Sequence, residues 1–351
     1  MKRISRTVKI NTLPVGDGNR IAVQSMLNTR TSDVKASCEQ IDRLLEAGCD
    51  VIRFTVPTVG DAAFVYEYKN RYPTVPFVAD IHFDHRIALA CIEAGIDKIR
   101  INPGNIGSDD GVKKVADAAK AKNVPIRIGV NGGSLEKHIL EKYGTPSAEA
   151  IAESAFYHAS LLERFDFSDI VISVKSSNVA RMIEANRIIA AKCDYPLHLG
   201  VTEAGTVRMG AIKNAVGIGS LLCDGIGDTI RVSLTGDPVD EVKAAKDILE
   251  AVGLSDRRVS TVSCPTCGRT SIDLIRLCEE FERIKPELHP SKNIKVALMG
   301  CVVNGPGEAR ECDIGIAGGV NEALLFKNGE PLYKIPADRI LEVLKEEINK
   351  L

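Results

Sequence analysis

Short apolar runs alternate with longer amphipathic segments through the first 254 residues of this 351-residue chain. Each run is rich in valine and isoleucine and ends in turn residues, which is typical of a buried β-strand. Eight such runs occur, near residues 21–26, 51–56, 77–81, 98–102, 126–130, 169–174, 197–202 and 229–235. Eight strands that alternate with helices predict a (β/α)8 barrel of the TIM type over residues 1–254. An open doubly wound sheet is the competing fold, but no GxGxxG turn follows the first run.

The segments between these runs have the periodicity of amphipathic helices. Helices are predicted over 34–47, 86–94, 111–122, 148–164, 180–192 and from 237 to 252. The segment Glu46–Arg53 resembles Glu93–Arg100, and each has a helix end, a glycine and then the start of a strand. This weak internal repeat supports the alternation.

The pattern changes after Gly253. Residues 255–258 are polar enough for a linker, and the strand candidates at 294–299 and 313–316 precede a helix candidate at 337–349. We therefore expect a second, small α/β domain over residues 259–351.

Composition excludes several classes of partner. The formal net charge is −2 with 44% apolar residues, so neither nucleic acid nor an anionic membrane is expected to bind. No apolar run approaches the length of a membrane span, and the basic N-terminus lacks the apolar stretch of a signal peptide. The ten cysteines do not form the framework of a small secreted domain. A cytoplasmic location is expected.

Three cysteines and a glutamate form a metal-binding pattern near the C-terminus. Cys264 and Cys267 lie on one CxxC turn, and Cys301 begins the sequence Cys-Val-Val-Asn-Gly-Pro-Gly that leads to Glu308. A [4Fe–4S] cluster is normally held by four thiolates. Three thiolates leave one iron to a weaker ligand, which a substrate oxygen can replace.

Two other interpretations of these cysteines stay open on spacing alone. One is a structural zinc site with Cys312 or Cys278 as the fourth thiolate, because zinc prefers four cysteine or histidine ligands. The other is an inert pair of buried cysteines. A zinc ribbon would repeat its CxxC turn and this chain has a single CxxC, so the cluster is favoured.

Cationic residues recur at the ends of the predicted strands, where barrel active sites lie. Four strands carry an Ile-Arg pair and a fifth ends in lysine; the cations are Arg53, Arg100, Arg127, Arg231 and Lys175. Such a ring predicts a site for a phosphorylated ligand, and a diphosphate is favoured. The polar residues at the strand ends that complete the candidate site are Asp80, His82, Asn102, Asn131, Thr202, Glu203 and Ser233.

Two alternatives use the same strand ends. Asp80, His82 and the following Asp84-His85 are compatible with a hydrolase metal site, although the usual His-x-His pair is missing. Lys175 is compatible with a Schiff-base aldolase, in which case the C-terminal domain would carry structural zinc.

The longest motifs resemble one family in order along nearly the whole chain. They are Gln24–Met26, Val78–His82, Ile99–Gly104, Leu197–Gly205, Gly225–Thr235, Cys264–Thr270 and Cys301–Glu308. The chain is similar to the 4-hydroxy-3-methylbut-2-enyl diphosphate synthases, the iron–sulfur reductases of the methylerythritol phosphate route to isoprenoids. It resembles their compact bacterial form.

This resemblance implies a substrate, a cofactor and partners. The substrate would be 2-C-methyl-D-erythritol 2,4-cyclodiphosphate, opened and dehydroxylated by two electrons from ferredoxin or flavodoxin. A [4Fe–4S] cluster would be held by Cys264, Cys267, Cys301 and an exchangeable Glu308, and Glu203 is a second expected catalytic residue. The resemblance also implies a homodimer in which each cluster domain covers the partner's barrel mouth.

Overall fold

The computed structural model describes residues 2–133, 135–301 and 311–351. The chain separates into two compact units, one ending at Leu254 and the other beginning at Ser255. None of the described helices is both long enough and apolar enough to cross a membrane.

The first unit is a barrel of eight parallel strands preceded by a hairpin. The hairpin strands are β1 (Val8–Ile10) and β2 (Leu13–Val15). The barrel strands are β3 (Ala22–Met26), β4 (Val51–Thr55), β5 (Phe77–Asp80), β6 (Lys98–Ile101), β7 (Ile126–Asn131), β8 (Ile170–Lys175), β9 (His198–Leu199) and β10 (Thr229–Ile230). Their order is β8-β7-β6-β5-β4-β3-β10-β9. A parallel bridge from Ile172 to Leu197 brings the two ends of this order together. The predicted (β/α)8 barrel is confirmed.

Nine helices of this unit lie between the described strands or after the last of them. They are α1 (Val34–Glu46), α2 (Ala63–Arg71), α3 (His85–Glu93), α4 (Asp109–Lys122), α5 (Lys137–Tyr143), α6 (Ala148–Glu163), α7 (Val179–Lys192), α8 (Val207–Cys223) and α9 (Pro238–Ala251). Several begin at a side-chain cap: Asp33, Ser108 and Ser147 each accept a hydrogen bond from a backbone N–H of the first turn. Gly48 and Gly95 have φ of 87° and 85°, which explains the repeated glycine between helix and strand.

The last two barrel strands are shorter than predicted. Regular pairing stops at Leu199 and Ile230, although the apolar runs continue to 202 and 235. At Gly200 a Cβ atom would lie 2.5 Å from the carbonyl oxygen of Arg231, so only glycine allows this approach of the two backbones. The alternation predicts a helix after each strand, but no bounds were predicted for α2, α5 or α8; the glycines and apolar residues of α8 obscure its helical period.

The N-terminal end of the barrel contains an apolar cluster, and charged side chains line the opposite, polar end. Ala22, Val51 and Val78, near the starts of three adjacent strands, form a buried cluster against Leu13 of the hairpin. The hairpin therefore lies against the N-terminal end of the barrel. Residues later on the strands carry the charged side chains considered below.

The described part of the second unit is a five-stranded mixed sheet with two helices. Its strands are β11 (Val259–Ser263), β12 (Ile294–Met299), β13 (Ile314–Gly318), β14 (Glu322–Lys327) and β15 (Glu330–Pro336), and its described helices are α10 (Leu274–Ile284) and α11 (Ile340–Ile348). The first three strands are parallel, whereas β14 and β15 pair antiparallel. The predicted strands at 294–299 and 313–316 and the C-terminal helix are confirmed.

A candidate anion site in the barrel and a candidate metal centre

Five cationic side chains converge on one cavity at the polar end of the barrel. The cavity has a volume of about 90 Å³ and is lined by Arg53, Arg100, Arg127, Gly129, Asn131, Ser173, Lys175, Thr202, Arg231 and Ser233. The side-chain period of a strand explains the convergence, because every second residue of each strand faces the barrel interior. All five cations expected from the strand ends are present in this lining.

Asp80 holds two of these arginines. One carboxylate oxygen lies 2.6 Å from a terminal nitrogen of Arg53, and the other lies 3.3 Å from Arg100. Burial of Asp80 raises the pKa of this carboxyl, but Arg53, His82 and Arg100 outweigh that effect and hold it well below its usual range. Asp80 is therefore ionised and orients two guanidinium groups.

Arg100 is fixed on its other side by the next strand. It donates a hydrogen bond of 2.7 Å to the carbonyl oxygen of Gly129. A Cβ atom at position 129 would lie 2.2 Å from Nε of Arg100, so the guanidinium occupies space that only glycine leaves. The side chain of Asn102 accepts a hydrogen bond of 3.0 Å from the Gly129 amide and ties the two strand ends together.

Arg231 has a buried carboxylate neighbour that the sequence analysis missed. Glu241 in the first turn of α9 places one oxygen 3.9 Å from Nε of Arg231 and accepts a hydrogen bond of 3.4 Å from Ser25. Its other oxygen accepts the backbone N–H of Leu234 at 2.9 Å. The sequence signal for this carboxylate is the acidic first turn that follows the cap Asp237, although acidic residues there are also explained by the helix dipole.

Lys175 differs from the arginines in its protonation. Burial, together with Arg231, Arg127 and other arginines, lowers the pKa of Lys175 well below its ordinary value. Burial also lowers the pKa of Arg127, but guanidinium keeps its proton in proteins. The cavity thus combines four charged arginines with an amine that loses its proton more readily than an ordinary lysine does.

A second cavity of about 260 Å³ lies beside the first and shares Arg100 and Asn131 with it. Its other lining residues are Ile81, His82, Phe83, Asn102, Asn105 and Ile106. The turn that carries Asn102 is braced by His158 of α6, whose Nδ1 accepts the Gly104 amide at 3.1 Å. The Nε2 atom of His158 then donates to Glu136 at 2.6 Å.

The remaining candidate residues divide between lining and rim. Asn131, Thr202 and Ser233 line the first cavity, and His82 and Asn102 line the second. Glu203 follows Thr202, is exposed, and has a φ of 53°. Glu203 does not line either of the two cavities, so it lies at the rim rather than among the arginines.

Replacing Glu241 by glutamine should strengthen anion binding without unfolding the barrel. Glutamine keeps the size of the side chain but removes the negative charge beside Arg231, which removes about 1 kcal/mol of repulsion toward a bound anion. We expect the affinity for inorganic diphosphate to rise about fivefold, as measured by isothermal titration calorimetry. Asp240→Asn in the same helical turn is the matched control and should bind as the wild type does. Equal affinities for both variants would contradict the role of Glu241.

Two of the candidate metal ligands follow neighbouring parallel strands of the second unit. Cys264 follows β11, and Cys301 follows β12 by one residue beyond Gly300. The Gly300 amide donates a hydrogen bond to Sγ of Cys264 at 3.3 Å, as backbone amides do around cluster thiolates. Cys267 is exposed on the following turn, where its amide is bound by Thr270. The donor chemistry fits an iron–sulfur cluster, because soft thiolates lie at the same sheet edge.

The described residues do not by themselves form a complete set of metal ligands. Among residues 2–133, 135–301 and 311–351, no three His, Cys, Asp or Glu side chains are close enough to hold one metal ion. The predicted ligand Glu308 lies outside the described residues. Cys312 precedes β13 and belongs to a cluster of buried apolar residues that includes Phe326. Because β12 and β13 are parallel, its backbone lies at the opposite end of the sheet from that of Cys301. This placement argues against Cys312 as a fourth ligand.

Solved structures resemble the barrel. Dihydropteroate synthase from Stenotrophomonas maltophilia matches with a TM-score of 0.51 and 15% identity, covering 71% of this chain and 98% of that chain. The enzyme from Burkholderia cenocepacia matches with a TM-score of 0.50 and 14% identity, covering 71% and 99%. At this identity the likeness shows the fold alone.

Curated relatives match the full length. A protein from Fusobacterium nucleatum named 4-hydroxy-3-methylbut-2-en-1-yl diphosphate synthase (flavodoxin) is 56% identical to this chain. The match covers 100% of this chain and 98% of the relative. The protein of that name from Clostridium acetobutylicum is 54% identical, with 100% of both chains covered. The family model for the GcpE TIM-barrel domain matches residues 5–246, and that for the GcpE protein C-terminal domain matches residues 260–350. The chain belongs to the GcpE family.

Proposed function

We propose that this chain is an iron–sulfur oxidoreductase that converts 2-C-methyl-D-erythritol 2,4-cyclodiphosphate to 4-hydroxy-3-methylbut-2-enyl diphosphate in isoprenoid biosynthesis. The observation that carries the proposal is the convergence of Arg53, Arg100, Arg127 and Arg231 on one cavity. It occurs in a chain whose full-length relatives bear the name of that synthase. The reaction takes a dianion, two electrons and one proton to a trianion and one water.

The barrel, residues 1–254, binds the substrate in this proposal. Guanidinium groups bind phosphate oxygens bidentately, so four of them around one cavity suit a diphosphate. Asp80 orients Arg53 and Arg100, and Glu241 does so for Arg231. The substrate-binding residues are Arg53, Asp80, His82, Arg100, Asn102, Arg127, Asn131, Lys175, Thr202, Arg231 and Ser233. We assign Glu203, at the rim beside Thr202, to supply of the proton.

The C-terminal domain, residues 259–351, holds the cofactor. Cys264, Cys267, Cys301 and Glu308 are the proposed ligands of a [4Fe–4S] cluster, with Glu308 the exchangeable one because iron binds thiolates more firmly than carboxylates. The bound cluster supplies electrons one at a time. The relatives' names specify flavodoxin as donor, and ferredoxin is the other donor expected from the sequence. A reducing cytoplasm suits this redox chemistry.

The test is an anaerobic assay of the reconstituted protein with the cyclic diphosphate and reduced flavodoxin. Formation of 4-hydroxy-3-methylbut-2-enyl diphosphate is expected, together with about four irons per chain. An iron-loaded protein that leaves the cyclic diphosphate unchanged would overturn the proposal. The aldolase alternative at Lys175 receives no support from the family match. Evidence for an aldolase would be borohydride trapping of a Schiff base between Lys175 and a carbonyl substrate.

Each active site should combine the barrel of one subunit with the cluster domain of another in a homodimer. Mixing inactive Arg100→Ala with inactive Cys301→Ser should then restore activity through heterodimers that have one intact site. Random exchange of subunits gives about a quarter of the wild-type rate. Mixing Arg100→Ala with Arg53→Ala is the control, since both lesions lie in the barrel. No recovery after verified exchange would show that each site is built within one chain.

A further inference from the structure

A second layer of polar side chains lies inside the barrel beneath the arginine cavity. Lys98 is two residues before Arg100 on β6 and so faces the same side of the strand. It is 0% exposed, and its amine has no hydrogen-bond partner in the described part of the chain. A lysine in the interior of a barrel is unusual, because branched apolar residues normally fill this space.

The groups around Lys98 are cationic or neutral. Arg127 on β7 and Arg53 on β4 are close enough for their charges to act on its amine. His198 on β9 also interacts with Lys98, and its Nδ1 lies 2.8 Å from Oγ1 of Thr229. The Nε2 atom of His198, like both amide atoms of buried Gln24, has no described hydrogen-bond partner. All of these residues are buried inside the barrel.

The nearby carboxylates are engaged elsewhere. Asp80 on the neighbouring strand binds Arg53 and Arg100 with its two oxygens. Asp97, adjacent to Lys98 in sequence, points to the other side of β6. It binds Lys69 at 2.8 Å and the Phe77 amide at 2.8 Å. Lys98 therefore has no described anion beside it when the cavity holds none.

This arrangement favours the neutral amine in the empty site. Burial, then Arg127 and Arg53, lower the pKa of Lys98 well below its ordinary value. An anion at the arginines reverses the sign of the nearby charge, which favours the protonated amine. Because binding equilibria are reciprocal, a proton on Lys98 in turn favours the anion.

We propose that Lys98 is a proton acceptor coupled to the anion site, and that its amine takes up a proton from solvent when a diphosphate group binds to the arginines above it. The nitrogen lone pair accepts the proton, and no bond of the ligand changes. The coupling itself rests on the anion site. Its consequence for turnover rests on the proposed function: the product carries one more negative charge than the substrate, so the protonated amine favours the product state.

The test is calorimetric titration of the protein with inorganic diphosphate in buffers of different ionisation enthalpy. The difference in proton uptake between wild type and Lys98→Met excludes the contributions from ionisation of diphosphate and from any protonation of Lys175, because both proteins share them. We expect the wild type to take up as much as about one proton more per diphosphate than Lys98→Met when the titration is repeated across the pH range in which the protein is folded. For each unit by which the pH is raised, the dissociation constant of the wild type for diphosphate should then rise by a factor up to about ten times larger than that of Lys98→Met. Lys35→Met, at an exposed lysine, is the control and should match the wild type.

Equal proton uptake by wild type and Lys98→Met would overturn the inference and leave the anion site intact. Failure of the wild type to bind diphosphate would overturn the anion site and the inference together. If Lys98→Met does not fold, carbon-13 spectra of wild-type protein labelled in the lysine ε-methylene provide the same test. One buried lysine other than Lys175, identified in a Lys175→Met background, should change from neutral to charged on addition of diphosphate. Absence of that change would overturn the inference.

Discussion

Changing Cys264, Cys267 or Cys301 to serine is expected to abolish reductive activity and the visible absorption of anaerobically isolated protein. Each substitution removes one of the three proposed thiolate ligands, and a serine hydroxyl binds iron much less firmly than a thiolate does at neutral pH. Iron content and the visible spectrum would be measured beside the rate. The expected loss of rate is complete, because the cluster is the only proposed path for electrons.

The barrel cysteines provide matched controls. Cys38 and Cys91 are buried in the apolar core, and burial raises the pKa of Cys91 to about 12. This thiol stays protonated and packs as a small apolar side chain. Cys91→Ser and Cys38→Ser should retain the cluster. Stoichiometric zinc with negligible iron in the wild-type protein would contradict the cluster.

Asp80→Asn should cause the largest loss of stability among single changes in the barrel site. The substitution leaves the buried cations Arg53 and Arg100 without their counter-charge, and breaking such a pair costs about 3–5 kcal/mol. Inorganic diphosphate should raise the melting temperature of Asp80→Asn more than that of the wild type, because the anion replaces the lost charge. Thermal denaturation with and without diphosphate measures both effects.

The pH dependence of the free energy of unfolding gives a second test of the role of Asp80. Its folded-state pKa lies well below the ordinary value near 3.8, so its stabilisation is complete above about pH 4 and is lost as the pH falls below that value. Asp80→Asn should lack this part of the acid destabilisation. Asp84→Asn is the control: Asp84 pairs with exposed Arg86, and asparagine preserves the cap of α3. A stable Asp80→Asn protein with an ordinary response to diphosphate would show that Asp80 does not organise the site.

The inward direction of the arginines followed from the sequence. A strand alternates its faces, so arginines at comparable places on four parallel strands of a barrel must meet inside it. The hydrophobic period and the turn glycines determined the strands and most helices in the same way. The spacing of Cys264 and Cys267 likewise required a shared turn. Each of these patterns is visible in the sequence of an individual strand, helix or turn.

The partners of those groups were decided by tertiary structure. The sequence does not identify Glu241 as a site residue, but the position of α9 beside the strand ends brings its carboxylate near Arg231. Lys98 looked like one more strand residue, but the closed barrel surrounds it with arginines and no available carboxylate among the described residues, which lowers the pKa of its amine. Cys312 is close to Cys301 in sequence, but the parallel order of β12 and β13 places their backbones at opposite sheet ends. Charge compensation depends on distances between elements that are remote in sequence, and only the folded chain sets those distances.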